Sequence, residues 1–131
     1  MEKIFKGKFK KYVIGKEIDG RLLESIGYEH PGKRIEINIR TSEFTCLCPW
    51  SGLPDYADIT INYVPDRKCI ELKSLKYYLL SFRNTGIVHE SAVNRIMDDL
   101  VKLCNPVEMH VIAEFGIRGG IKTTVKRDYY V

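Results

Sequence analysis

Arg34-Ile35-Glu36-Ile37-Asn38-Ile39-Arg40 and Asp58-Ile59-Thr60-Ile61-Asn62-Tyr63 decide the fold class of this chain. Both alternate apolar and polar residues with period two, which puts one face of an extended strand in a core and the other toward water. Pro65-Asp66-Arg67-Lys68 closes the second strand with a turn, and Cys69 to Leu72 reads as a short extended piece that delivers the chain to a helix. From Lys73 to about Arg83 the apolar residues Leu75, Tyr78, Leu79 and Phe82 recur at helical spacing, and from His89 to about Leu103 so do Val93, Ile96, Met97, Leu100 and Leu103. Asn84-Thr85-Gly86 separates the two helices, and Asn105-Pro106 stops the second. Val107 to Phe115 and Ile121 to Tyr129 read as strands joined through Gly116-Ile117-Arg118-Gly119-Gly120.

The resulting order, β-β-α-α-β-β, favours an α+β fold: an antiparallel sheet with both helices on one face. At 131 residues the chain is expected to be one domain. Residues 1–33 form an N-terminal arm and 34–131 a single domain in this reading. The sheet's second face has little left to cover it, so assembly through that face or the sheet edges is expected.

A composition of 44% hydrophobic and 29% charged residues fits a soluble globular domain. No apolar run reaches the roughly 20 residues of a membrane span, and the opening Met1-Glu2-Lys3-Ile4-Phe5-Lys6 lacks a signal-type stretch, so a cytoplasmic protein is expected. The net charge of +4 is mild, with a local basic cluster at Lys6, Lys8, Lys10 and Lys11. Charge of that size suits phosphate-bearing ligands, nucleic acid or a merely solvated surface, and does not choose between them. The cysteines at 46, 48, 69 and 104 are expected to be free thiols. Cys46-Leu47-Cys48 has too short a spacing for zinc and no histidine nearby, so no metal is expected.

Cys48 stands where a strand breaks, in Cys48-Pro49-Trp50-Ser51-Gly52-Leu53-Pro54-Asp55. Such a segment holds side chains outside the regular ladder, where a nucleophile needs to be. An unperturbed thiol is only about 3% thiolate at pH 7, so a reactive Cys48 needs help from its surroundings. The alternative is a small buried hydrophobe. Asp55 either caps a turn or, packed against Trp50 and Tyr56, is desolvated and acts as a proton donor.

Downstream lies Glu71-Leu72-Lys73-Ser74-Leu75-Lys76-Tyr77-Tyr78. Lys73 and Lys76 share one helix face, and Arg118 in its glycine-flanked loop can add a third cation. Three cations suit a phosphate-rich cofactor, or are simply solvated. No Gly-x-Gly-x-x-Gly follows a strand, so a dinucleotide site here is not of the Rossmann kind. Glu90 in the first turn of the second helix is either a partner of the helix dipole or an acceptor for the N–H edge of a guanine-like base, with His89 beside the ring.

Taken together, Thr45-x-x-Cys48-Pro49-x-x-Gly52-x-Pro54-Asp55, the Glu71–Tyr78 run, Ser81-Phe82-Arg83-Asn84, His89-Glu90 and Arg118-Gly119-Gly120 closely resemble the short, single-module NADPH-dependent 7-cyano-7-deazaguanine reductases of queuosine biosynthesis. The resemblance implies a tunnelling fold, in which sheets of several subunits close into a barrel with helices outside and active sites between subunits. It also implies a homo-oligomer, a decamer of two pentameric rings. Cys48 would attack the nitrile carbon to form a thioimide and Asp55 would protonate the nitrogen. Two hydrides from two NADPH would then give 7-aminomethyl-7-deazaguanine. Ile70, Glu71, Leu72, His89 and Glu90 would hold the deazapurine, and Lys73, Ser74, Lys76, Arg118 and Gly119 the NADPH. No metal, membrane or direct nucleic-acid contact is implied.

The alternative is a related amidine-forming enzyme acting on tRNA with ammonia instead of NADPH, whose relatives lack the lysine run. A basic nucleic-acid module built on the N-terminal lysines has no need of Cys48, Asp55 and Glu90. Cys46, two residues before Cys48, reads as a bystander, the other option being an oxidised species that protects or blocks Cys48.

Overall fold

A computed structural model describes residues 18–131. The basic cluster at Lys6–Lys11 lies outside the described residues. Six strands and two helices follow a short 3-10 turn at Gly20–Leu22: β1 (Ser25–Gly27), β2 (Ile37–Leu47), β3 (Pro54–Val64), β4 (Lys68–Ile70), α1 (Leu72–Leu80), α2 (His89–Cys104), β5 (Glu108–Phe115) and β6 (Thr124–Tyr130). β2, β3, β5 and β6 make one antiparallel sheet in the order β2-β3-β5-β6, and β1 pairs with β4 in a separate two-stranded ribbon. The α+β class with two helices on an antiparallel sheet is as expected. The ribbon is an addition to the expected order: the extended Cys69–Leu72 piece has a partner, Ser25–Gly27, from the segment assigned to the arm. Ile18 and Leu23 of that segment are also buried in the main core.

β2 is longer than its alternation announced. Its pairing with β3 shifts register between Thr41 and Phe44, a bulge that changes which parity of residue faces the helices. Ile37 and Ile39 face the core before the bulge, and Phe44 and Cys46 after it. A period-two reading therefore stops at Arg40 although the strand runs on to Leu47. This phase change buries the Cys46 side chain and brings the strand's end, where Cys48 follows, beside the start of β3.

The helices lie on the inward parity of β3 and β5, where Ile59, Ile61, Tyr63, Met109, Val111 and Ala113 are buried. Within this layer Phe82 meets Phe44 in a tilted pair at 5.2 Å and Tyr78 edge to face at 5.4 Å between ring centroids, contacts that add to simple area burial. Tyr78 keeps its hydroxyl satisfied by donating to Asp99 Oδ2 at 2.6 Å across the helix pair. α2 ends in Asn105, which takes the left-handed conformation (φ 44°) before Pro106 stops the helix.

The other face of the sheet is polar: Arg40, Thr60, Asn62, His110, Lys126 and Asp128 stand on the outward parity. Such a face tolerates water, so the pressure to associate falls on the edges of β2 and β6, which are unpaired among the described residues. His110 anchors the outward layer. Its Nδ1 meets Asp128 Oδ1 at 2.5 Å and its Nε2 meets Glu108 Oε2 at 2.9 Å, while Arg34 donates to Glu108 Oε1 at 2.6 Å. The bonds to Asp128 and Glu108 raise the His110 pKa above the ordinary 6.5. A group whose pKa is raised on folding stabilises fully below its unfolded value and loses that contribution as pH rises through the folded one. His110→Asn is therefore expected to lower Tm most below about pH 6.5, the deficit shrinking as pH rises above that. A deficit independent of pH over that range would show that His110 acts through packing instead of charge.

Candidate active site

The segment after β2 is a tight loop. Cys48 N–H donates to the Leu53 carbonyl and the Cys48 carbonyl accepts from Gly52 N–H, both at 2.8 Å, with Gly52 at φ 72°. Only glycine takes that φ without strain, and it folds the chain back so that Ser51 and Trp50 sit over the thiol. Burial pushes the Cys48 pKa up, but hydrogen bonds from the Ser51 side chain and the Ser51 and Trp50 backbone outweigh it, and the net shift is downward. The half-buried thiol is thus tuned toward thiolate relative to a free cysteine. Ser51 was not anticipated from the sequence; a short hydroxyl three residues after a cysteine in a turn was the available signal.

Cys46 is the opposite case. It is fully buried, and burial first, then the charges of Asp55 and Cys48, push its pKa up to about 12. That thiol is inert, in keeping with a bystander.

Asp55 pairs with Cys46 in the β2–β3 ladder, and its side chain is 8% exposed. It is held from both sides. Arg118 Nε lies 2.9 Å from Oδ1, and His89 Nε2 lies 3.2 Å from Oδ2. Thr45 Oγ1 donates to the Asp55 carbonyl at 2.8 Å. The His89 ring is stacked on Phe115, centroids 3.6 Å apart and planes within 4°, which fixes the direction of Nε2. Phe115 and Thr45 are therefore supports of the site; Phe115 was legible only as the last apolar residue of a strand. Glu90, next to His89 in the first turn of α2, is exposed, and its backbone carbonyl accepts from Asn94.

The Glu71–Tyr78 run divides by role. Glu71 caps α1, its carboxylate accepting from Lys73 N–H at 2.9 Å and Ser74 N–H at 2.8 Å, and these two bonds lower its pKa. Ser74 is buried; its hydroxyl accepts from Glu24 N–H at 2.9 Å and donates to the Glu71 carbonyl at 2.8 Å, tying the N-terminal segment to the helix. Leu75 and Tyr78 are core residues. Lys73 and Lys76 remain, both exposed and outside the salt bridges of the described residues, although the Lys73 charge helps to lower the Glu71 pKa. Lys76 borders a cleft of about 380 Å³ between α1 and β2, and Ile70, Glu71 and Leu72 border another of about 460 Å³ beside Ile37 and Tyr63. A cavity of about 820 Å³ between the 3-10 turn and α2 holds none of the candidate site residues.

Two groups therefore form. Cys48, Asp55, His89, Glu90 and Arg118 gather at one end of the sheet. Ile70, Glu71, Leu72 and Lys73 stand at the other, where Tyr63 Oη accepts from Ile70 N–H at 2.9 Å. Arg118 falls in the first group, on Asp55, and Gly119 (φ 57°) follows it in the turn that carries it there.

The profile of the QueF-like protein family matches residues 54–130, which include Asp55, the Glu71–Tyr78 run, His89-Glu90 and Arg118. The chain belongs to the QueF-like family. It is 57% identical over 113 residues to the NADPH-dependent 7-cyano-7-deazaguanine reductase of Caldicellulosiruptor bescii, covering 86% of each chain. It is 54% identical over 113 residues to the reductase of that name from Thermoanaerobacter pseudethanolicus, covering 86% of this chain and 85% of that one. A further QueF-like fold, the crystal structure of the archaeosine synthase QueF-Like in the apo form, superposes with a TM-score of 0.65 over 76% of this chain and 95% of its own. Its 18% identity speaks to fold alone.

Proposed function

We propose that this QueF-like protein reduces the nitrile of 7-cyano-7-deazaguanine to the primary amine of 7-aminomethyl-7-deazaguanine, with NADPH as reductant, in queuosine biosynthesis. The observation that carries the reading is a thiol tuned toward thiolate beside a buried, charge-paired carboxylate, in a chain more than half identical to reductases of that name. A nitrile carbon is an electrophile suited to a thiolate, and the nitrogen needs a proton as the carbon is attacked. Cys48 Sγ bonds to carbon, one C–N π pair shifts to nitrogen, and Asp55 supplies the proton; the Cys48 thiolate would leave once the carbon has gained its first hydride, and a second proton would be taken up with the second hydride as the amine forms. NADPH, when bound, supplies the two hydrides. Lys73 and Lys76 fit its phosphates, being exposed cations about one turn apart and outside any salt bridge of the described residues. Glu90 and His89 flank the place of the deazapurine, with Ile70, Glu71 and Leu72 closing it from another subunit.

The reading includes assembly. Unpaired edges on β2 and β6 invite edge-to-edge pairing of subunits into a tunnelling-fold barrel, here a homo-oligomer of two stacked rings of five. Trp50, Leu53, Tyr56, Ile117 and Ile121 are 46–70% exposed around the Cys48 end, an apolar rim that a neighbouring subunit would cover.

Purified protein given the nitrile is expected to oxidise two equivalents of NADPH per amine, measured by absorbance loss against product mass. A ratio of one, or no oxidation, would refute the reading. The amidine-forming alternative predicts no NADPH binding at all, and no observation on the molecule favours it over the paired lysines.

A further inference from the structure

Each oxygen of Asp55 already has a partner. Arg118 occupies Oδ1 and His89 occupies Oδ2, and Arg118 also donates through Nη2 to the Pro54 carbonyl. The titratable groups around the carboxylate are His89 from α2, Arg118 from the β5–β6 connection, and Cys46 and Cys48 from β2 and the turn after it. With a partner on each oxygen, a substrate atom reaches the carboxyl most directly when one of the two withdraws.

The two partners differ in freedom. His89 is clamped against Phe115 at the start of a 16-residue helix. Arg118 is 47% exposed at the tip of a two-residue hairpin, closed by the reciprocal 2.9 Å bonds of Arg118 and Ile121 around Gly119 and Gly120. Those glycines, at φ 57° and 78°, match the turn in which both central residues need positive φ, and a Cβ on either would meet nothing within 4 Å. Arg118 itself, 47% exposed, has solvent on one side to move into. Its present partners, a carboxylate and a carbonyl, are acceptors that a phosphate can replace bidentately.

We propose that the Arg118–Asp55 ion pair is a resting contact that withholds the proton donor, and that a phosphate group of an incoming dinucleotide draws Arg118 away and frees Oδ1. The proposal rests on the reductase reading and adds that cofactor arrival and proton delivery are linked through one side chain. Arg118 is thus a positioning residue for Asp55. Addition of the Cys48 thiolate to the nitrile forms an S–C bond, moves one π pair to nitrogen and takes one proton from Asp55. It consumes no reductant, so the covalent adduct reports on proton delivery separately from hydride transfer.

The test uses the full chain and the nitrile without NADPH, with the adduct followed by quenched intact-mass measurement. Arg118→Ala is expected to form the adduct about fivefold faster than wild type, the scale of a partly exposed ion pair. Inorganic pyrophosphate, which carries the anion but no hydride, is expected to accelerate the wild type and to leave the Arg118→Ala rate unchanged. An Arg118→Ala rate equal to or below wild type overturns the proposal, as does a wild type indifferent to pyrophosphate, an arm that needs no variant to fold. A wild type that forms no adduct with or without pyrophosphate, and an Arg118→Ala protein that forms none either, refute the reductase reading and the proposal with it; a wild type that forms the adduct unaffected by either change refutes the resting contact alone.

Discussion

Cys48→Ala is expected to abolish both NADPH-dependent turnover and the covalent adduct. The loss should be complete because no other thiol can stand in. Cys46 and Cys104 are buried and their pKa values are pushed up to about 12, first of all by burial. At pH 7 such a thiol is ionised in about one molecule in 10⁵, against about 3% for an ordinary free cysteine, and neither is open to a substrate. Cys69 lies on β4, at the far end of the sheet from Asp55. The fold should survive the change, since Cys48 sits in a turn held by its backbone N–H and carbonyl, which alanine keeps. The measurement is intact mass after incubation with the nitrile, beside NADPH absorbance. An adduct on the Cys48→Ala protein would mean that another residue is the nucleophile and that the Ser51 and Trp50 hydrogen bonds serve only the turn.

The strands and helices were legible because their hydrophobic periods are long and clean, and α2 starts within the residue at which its pattern begins. β2 was cut short because a bulge at Thr41–Phe44 reverses the phase of the alternation, which a period-two reading takes as the end of a strand. The β1–β4 ribbon was hidden for a different reason: three-residue strands carry too little pattern to be seen. Within the site, Cys48 and Asp55 were visible from their setting among prolines and a glycine. The Arg118–Asp55 pair was not, because a cation 63 residues away in sequence declares nothing about the acid it will meet. The lysine run showed a limit of another kind. Glu71 and Ser74 read as chemistry, yet most of their hydrogen-bonding capacity goes into capping and tying the helix that presents Lys73 and Lys76.

That presentation leads to a second large effect. Asp55 and Tyr63 are eight residues apart on β3, about 26 Å at roughly 3.3 Å per residue, and Ile70 to Leu72 hang from the Tyr63 end. A bicyclic deazapurine spans less than half of that, so one chain's Glu71 and Leu72 cannot touch the molecule that its own Cys48 attacks. Either those residues do not bind substrate, or the site is built from two chains. On the second account, Cys48→Ala and the double variant Lys73→Ala/Lys76→Ala are each inactive alone, and co-expression restores activity. With random assembly, a junction has an intact Cys48 side and an intact lysine side about one time in four, so about a quarter of wild-type activity per site is expected. Tandem tags and native mass measurement establish that mixed oligomers have formed. Mixed oligomers as inactive as their parents would place both halves of the site in one chain, and the lysines of α1 would then have to reach Cys48 by a rearrangement of the loop between α1 and α2.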